Sequence, residues 1–326
     1  MNGAAPVDAD WLAAAARLAA RARPLSRPNP AVGCVIVKDG IVVGRGWTQQ
    51  GGRPHAEAVA LEQAGEKARG ATVFVTLEPC AHRSERGPSC ADLLVAAKPA
   101  RVVIAEIDPD TRTDGTGAER LRSAGITVDH LPSPEARASL AGFLTQHRLG
   151  RPHVTLKLAM SLDGCIALAD GTSQWITGEE SRAHVHSRRA MADAILVGGG
   201  TWRADKPRLT ARLPGLEDRS PQKYVLTRGV PLDGARIINR TAQIATLGDV
   251  QYLYVEGGAQ VAASFLADDL VDRLEIYRAP IVIGNGLRAI DALAITDLAD
   301  AHGRWHLAER RQLGSDCFEA YARVRS

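Results

Sequence analysis

His55, Glu57, Cys80 and Cys90 are the residues of this chain whose types and spacing best suit chemistry at a metal. A hydrolytic zinc site needs three protein ligands and one open position for water, and one imidazole with two thiolates meets that count. Glu57 lies two residues past His55, close to the metal yet off its ligand direction, which suits a proton shuttle. His55 stands where a helix is expected to begin and Cys90 opens another, so backbone N–H dipoles there would favour a thiolate. Two other readings compete. A Cys80–Cys90 disulfide is disfavoured in a chain without an export signal. A purely structural zinc would need a fourth ligand, for which His82 is the nearby candidate. Cys34, Cys165 and Cys317 read as small core or near-core residues and not as ligands.

These residues must be held by the elements around them. Asp8 or Asp10 is expected to cap a helix running to about Ala22. Val32 to Val37 and Ile41 to Val43 read as a strand pair joined by Asp39-Gly40, a short-hairpin signal. Helices are expected over His55–Ala64, Cys90–Ala97, Glu119–Ala124 and Glu135–Leu149, with strands at Val73–Leu77, Arg101–Ile107 and Ile126–Val128. Such alternation implies a three-layer α/β domain. Gly150-Arg151-Pro152 punctuates the chain, because Pro152 ends the helix and an apolar strand, Val154 to Met160, follows at once. Two domains are therefore expected, 1–149 and 150–326. In the second, helices at Glu179–Met191 and Gln260–Leu266 alternate with strands at Ala194–Val197, Tyr224–Leu226, Tyr252–Val255 and Leu274–Tyr277.

At 326 residues, with 45% hydrophobic and 24% charged residues, each half is long enough to bury its own core. The charge of +3 is too small to imply nucleic-acid or membrane binding. Aromatic residues are only 4%, which also argues against a nucleic-acid deaminase or binding module. Asp8 and Asp10 precede the apolar stretches Ala13–Ala16 and Leu18–Ala20 where a secretory signal would carry positive charge, so a cytoplasmic location is expected. In the second half, Gly198-Gly199-Gly200-Thr201 and Glu256-Gly257-Gly258 each put glycines at a strand's end, where backbone N–H groups can approach phosphates. Neither is a G-x-G-x-x-G fingerprint. Arg188, Arg189, Arg203, Arg208 and Arg212 form a basic cluster in sequence, which suits a phosphorylated sugar or the 2′-phosphate of NADPH as well as a solvated face.

The stretches Pro28-Asn29-Pro30-Ala31-Val32-Gly33-Cys34, His55-Ala56-Glu57 and Thr76-Leu77-Glu78-Pro79-Cys80-Ala81-His82 resemble the bacterial bifunctional riboflavin-biosynthesis deaminase/reductases. So does the long gap between Cys80 and Cys90, since cytidine and tRNA-adenosine deaminases place their cysteines closer. Leu156-Lys157-Leu158-Ala159-Met160-Ser161-Leu162-Asp163-Gly164, Ser173-Gln174-Trp175-Ile176-Thr177 and Leu209-Thr210-Ala211-Arg212 look like the reductase half of the same family. The resemblance implies a cytidine-deaminase-like α/β/α domain followed by an α/β domain like dihydrofolate reductase, with Zn2+ and NADPH as cofactors. It implies that Asn29, His82 and Arg86 contact the substrate ring or its ribose phosphate, and that Asp108 shapes the pocket. It also implies that Ala159, Trp175, Thr201, Asp205 and Gly258 hold NADPH, and that Ser173, Arg189, Leu209, Arg212 and Glu256 hold the phosphoribosyl substrate. Lys157 and Glu256 become candidates for proton handling as the ribose opens and C1′ accepts hydride.

Several positions depart from the family's usual residues: Thr48 for a histidine, Asp110-Thr111 for Asn-Pro, Cys165 for an arginine, Lys206 after Asp205, and Thr227 for an aspartate. The segment from Arg212 to Tyr252 is also short. The implied reactions are hydrolytic loss of the 2-amino group of 2,5-diamino-6-(5-phosphoribosylamino)pyrimidin-4(3H)-one, then reduction of the ribosyl group of 5-amino-6-(5-phosphoribosylamino)uracil to ribityl. A deaminase carrying an inert reductase-like domain is the alternative. Small phosphoribosylaminopyrimidines are the expected partners, with neither nucleic acid nor membrane, and homo-oligomerisation stays open.

Overall fold

The computed structural model describes residues 7–82, 87–111, 113–229 and 233–325. The chain divides into two compact units, Met1–Gly150 and Arg151–Ser326. Among the described residues no helix is long and apolar enough to cross a membrane.

The first unit contains α1 (Asp8–Ala19), β1 (Gly33–Lys38), β2 (Ile41–Trp47), α2 (Ala56–Ala64), β3 (Thr72–Leu77), α3 (Cys90–Ala97), β4 (Arg101–Glu106), α4 (Thr116–Ser123), β5 (Thr127–His130), α5 (Pro134–Ser139) and α6 (Ala141–Leu149). Its sheet has the order β2-β1-β3-β4-β5. The β1–β2 hairpin turns through Asp39 and Gly40, both at positive φ, as a tight primed turn requires. Strand alternation builds two core layers. Cys34, Ile36, Val73 and Val75 face α2, α3 and α4, while Val35, Val37, Phe74 and Val103 pack with Leu12, Ala15 and Ala16 of α1.

The approach of α2 to β2 decides where the site lies. A Cβ on Gly46 would stand 2.2 Å from the Ala56 carbonyl oxygen, and one on Gly44 2.2 Å from that of Ala60. Only glycine permits that contact. Glu78, which directly follows β3, receives N–H groups from Gly115 (2.9 Å) and Ala118 (3.0 Å). It therefore caps α4 from a distant strand, satisfying donors the helix cannot satisfy itself.

The second unit contains β6 (His153–Met160), β7 (Cys165–Ala167), α7 (Glu179–Arg189), β8 (Ala194–Gly198), α8 (Gly199–Asp205), β9 (Gln222–Leu226), β10 (Arg236–Ile238), β11 (Tyr252–Val255), α9 (Ala259–Ala267), β12 (Arg273–Arg278), β13 (Leu287–Arg288), β14 (Trp305–Leu313) and β15 (Asp316–Arg323). Its large sheet runs β10-β9-β8-β11-β6-β12-β15-β14, parallel as far as β12 and then antiparallel. Asp272 accepts two bonds from Arg151 (2.7 and 3.0 Å) and one from Arg325 (2.5 Å), joining the two ends of this unit.

Two expectations are corrected, and one element lies outside them. Neither Asp8 nor Asp10 caps α1: Val7 holds that position, and the Asp10 carboxylate accepts the Val7 N–H at 3.1 Å. The Glu135–Leu149 helix is two helices, broken at Leu140, whose ψ of 2° lies outside the helical range. The β14–β15 hairpin, Trp305–Leu313 and Asp316–Arg323, adds two antiparallel strands beyond those the sequence signals.

Glu78→Ala should leave the N–H groups of Gly115 and Ala118 without their acceptor in a buried place. Denaturant unfolding should show a loss of about 2–3 kcal/mol, the scale of a charged hydrogen bond removed from one side.

Candidate active sites

In the first unit His55 is the residue preceding α2, and its Nδ1 lies 3.5 Å from Cys80 Sγ and 3.3 Å from Cys90 Sγ. The three ligand atoms lie within 4.8 Å of one another. Among the described residues neither Glu57 nor His82 joins that cluster. Ser89 caps α3 by accepting the Asp92 N–H at 3.1 Å, which aims the Cys90 N–H at Cys80 Sγ, 3.3 Å away. The helix start thus favours the Cys80 thiolate and not that of Cys90. Cys80 is drawn down to about 4, first by the hydrogen bond from the Cys90 thiol, against burial, and then by His55 and the Cys90 N–H. Cys90 moves well up, through its bond to Cys80, burial and the nearby Glu57 charge. A thiolate and a thiol leaning together beside an imidazole nitrogen are a donor set in which a divalent cation can replace the proton, and two sulfurs with one nitrogen suit zinc.

Glu57 sits in the first turn of α2 and is buried. Burial lifts its carboxyl to about 7, with His55 pulling it down and Cys80 pushing it up. It can therefore take or give a proton near neutral pH. Asn29 borders the site: its Nδ2 donates to the Gly52 carbonyl (2.9 Å) and lies 3.2 Å from His55 Nε2. His82 is half-buried, and its Nδ1 has no partner among the described residues. Asp108 is buried and lifted to about 6 by that burial, with one oxygen accepting the Asp110 N–H at 3.0 Å. Arg86 lies outside the described residues. Thr48, at the departure from histidine, points its hydroxyl at the Val32 N–H (3.0 Å) and so pins the start of β1.

Sequence reasoning missed Arg120. Its Nη1 reaches the Ala81 carbonyl (2.8 Å), Ser89 Oγ (3.2 Å) and Asp92 (3.0 Å), tying both ends of the segment between the two cysteines. Nothing local to Arg120 signals this, because its partners come from elsewhere in the chain.

In the second unit Glu256, at the end of β11, is held by Arg189 through two bonds (2.6 and 3.0 Å) and lies 3.7 Å from Lys157 Nζ. Burial works to raise the Glu256 carboxyl, but Arg189 and Lys157 outweigh it and hold it below its usual range. Arg189 also donates to the Thr210 carbonyl (3.3 Å), next to Leu209 and Arg212. Lys157, Arg189, the Leu209–Arg212 segment and Glu256 therefore come together. Ala159 lies further along β6, level with Tyr277. Ser173, Trp175 and Asp205 make no hydrogen bond to that cluster among the described residues. Trp175 is exposed, with the Arg182 guanidinium 4.8 Å from its ring centre.

The five arginines clustered in sequence are dispersed. Arg188 is taken by the buried Glu275 at 2.5 Å and Arg189 by Glu256. Arg203 lies by Thr227, where a Cβ on Gly199 would stand 2.7 Å from the Thr227 hydroxyl and 3.1 Å from Arg203 Nη1. The glycine turns after β8 and β11 are neighbours because those strands pair, and Thr201 faces Gly258.

Residues 6–106 match the cytidine and deoxycytidylate deaminase zinc-binding region, and residues 152–318 match the RibD C-terminal domain. The riboflavin biosynthesis protein RibD of Escherichia coli is 39% identical over 359 residues, covering 95% of this chain and 97% of that protein. The chain belongs to the RibD family. It is a bifunctional enzyme of riboflavin biosynthesis, with a hydrolytic zinc deaminase domain ahead of a reductase domain. Two family members of known structure match nearly the full length of the chain. Acinetobacter baumannii RibD is 34% identical with a TM-score of 0.85, covering 98% of this chain and 99% of that one. The Thermotoga maritima diaminohydroxyphosphoribosylaminopyrimidine deaminase/5-amino-6-(5-phosphoribosylamino)uracil reductase is 31% identical with a TM-score of 0.86, covering 97% and 99%. Agreement over both halves does not favour the reading of an inert second domain.

Cys80→Ser and Cys90→Ser should each lose most of about one zinc per chain, by elemental analysis of the purified protein, since each removes one of three ligands. Full retention in both would rule out this ligand set.

Proposed function

We propose that the enzyme removes the 2-amino group of 2,5-diamino-6-(5-phosphoribosylamino)pyrimidin-4(3H)-one in the cytoplasm, and then reduces the ribosyl group of 5-amino-6-(5-phosphoribosylamino)uracil with NADPH. The observation that carries the first step is the His55–Cys80–Cys90 cluster with a buried, non-ligating Glu57 beside it. Zinc held by those three residues would supply the Lewis acid and an open position for water. Glu57 takes a proton from the attacking water, passes it to the ring nitrogen, and delivers the second proton to the departing amine as ammonia leaves. Asn29, His82, Arg86 and Asp108 hold the ring and its phosphoribosyl group.

The second step rests on the cluster of Lys157, Arg189, Arg212 and Glu256. NADPH supplies the hydride for C1′ when bound. Thr201 and the Gly258 turn would hold its diphosphate, with Ala159, Trp175 and Asp205 along its remainder. Arg203, without a carboxylate partner among the described residues, is a cation available to a 2′-phosphate beside that turn. As nitrogen pushes open the C1′–O4′ bond, Lys157 gives O4′ its proton, which leaves an iminium whose C1′ the bound cofactor would reduce. Glu256, held as an anion by Arg189 and Lys157, fixes the sugar along with Ser173 and Leu209 and does not act as an acid itself. The domains responsible are residues 1–149 and 150–326.

Glu57→Gln should lose about two to four orders of magnitude in deamination, the usual weight of a general acid–base, yet reduce the preformed aminouracil at the parental rate. Product masses with each substrate decide this. Loss of both activities in a folded Glu57→Gln protein would be fatal to the two-site assignment. Arg203→Ala should weaken NADPH binding about tenfold and leave NADH unchanged, because a charge-assisted bond to the 2′-phosphate is lost. Equal weakening of both cofactors would count against Arg203.

A further inference from the structure

Arg212 is held in an unusual way for a binding arginine. Its Nε donates to His186 Nε2 at 3.3 Å, while His186 Nδ1 lies 3.1 Å from the Thr210 carbonyl oxygen. A carbonyl can only accept and a guanidinium can only donate, so one imidazole form satisfies both contacts. That form carries its hydrogen on Nδ1 and a lone pair on Nε2. The same Thr210 carbonyl receives Arg189 Nη1 at 3.3 Å, so both arginines are referenced to one point of the chain. The residue before it, Leu209, is buried and sits at φ 53°, in the left-handed region that a leucine seldom occupies. Backbone strain of this kind persists only where its surroundings over-determine it.

A carboxylate in place of His186 would also aim Arg212, but it would cancel the guanidinium charge. That happens to the neighbouring Arg188 and Arg189, which Glu275 and Glu256 occupy. A neutral imidazole aims the guanidinium and leaves its charge intact. Arg212 is exposed and has no carboxylate partner among the described residues. We propose that His186, as a neutral imidazole, is the positioning residue that aims Arg212 at the phosphate of the phosphoribosyl substrate. This rests on reading the reductase half as the site of that group.

Burial and two neighbouring cations keep the ring neutral. Burial is the largest effect, and Arg189 on the same helix and Arg212 on the facing loop add to it. The Thr210 bond and Glu256, at the end of β11, oppose them, and the balance lies below the ordinary imidazole value. The hold on Arg212 is thus complete at pH above the ordinary imidazole range and fails as pH falls below it. The second proton can enter only at Nε2, where it replaces an accepted hydrogen bond with a repelled cation.

The test is calorimetric titration of the full-length zinc-loaded protein with D-ribose 5-phosphate at pH 7.5 and 5.5, for the parent, His186→Ala, His186→Gln and Arg212→Ala. Arg212→Ala and His186→Ala should each weaken binding about tenfold at pH 7.5, the loss of a charge-assisted contact. Glutamine offers an N–H and a carbonyl at similar reach but does not titrate. His186→Gln should therefore bind nearly as the parent does at pH 7.5 and lose less at pH 5.5. Protonation of the phosphate itself is common to all four proteins and cancels in the ratio. Parental binding by His186→Ala alongside weak binding by Arg212→Ala would overturn the role of His186 alone. An equal pH loss in His186→Gln and the parent would do the same, even if the alanine variant fails to fold. Parental binding by Arg212→Ala, or none by the parent, would count against the phosphoribosyl reading and this inference with it.

Discussion

Helix α2 can hold His55, the residue that precedes it, beside Cys80 and Cys90 only because it lies directly on β2. Gly44 and Gly46 leave no side chain between the strand and the helix carbonyls. A methyl group at either position would push α2 outward against backbone, which cannot yield as a flexible side chain can. His55 and Glu57 would move with it, away from Cys80 at the end of β3 and Cys90 at the start of α3. The imidazole nitrogen and the two sulfurs gather within 4.8 Å because three elements meet there, and the α2–β2 contact sets the position of one of them. Glu78 fixes another part of the same frame, anchoring α4 to the end of β3 just before Cys80.

The chain gives buried carboxylates three different jobs by choosing their neighbours. Glu57 has a single imidazole for opposite charge and thiol groups nearby, so burial prevails and its carboxyl rises to about 7. Glu256 is less deeply enclosed, and Arg189 and Lys157 outweigh what burial remains and keep it charged. Glu78 has backbone N–H groups as partners and serves as an anchor. A proton carrier, a fixed charge and a cap thus arise from one side chain, sorted by what each is packed against. The imidazole of His186 follows the same logic from the other direction, since it orients a cation while contributing no charge.

Much of this was legible in the chain itself. The His55, Cys80 and Cys90 set could be read because metal chemistry restricts both residue type and ligand number, and alternating apolar strands show their period directly. Glu78, Arg120 and His186 could not be read, because their roles depend on groups tens of residues away or across the fold. The five arginines looked like one patch because sequence shows proximity along the chain and not direction. On helix α7 consecutive residues point about 100° apart, which is how Arg188 and Arg189 reach different carboxylates on different strands. Strand β14 escaped notice because it lies at the sheet edge, largely exposed, and carries charge where a buried strand would show hydrophobic alternation. The break at Leu140 also had no signal, since neither glycine nor proline marks it.

Asp272 gathers Arg151 and Arg325, the beginning and the end of the C-terminal unit, onto one carboxylate. The polypeptide therefore enters and leaves this unit at nearly the same place, and its fold is closed on itself apart from a short gap. A chain so arranged is a natural candidate for permutation: its ends can be joined by a short bridge and new ones opened at an exposed loop without disturbing the sheet. It also means that the unit has no preferred side for a fusion.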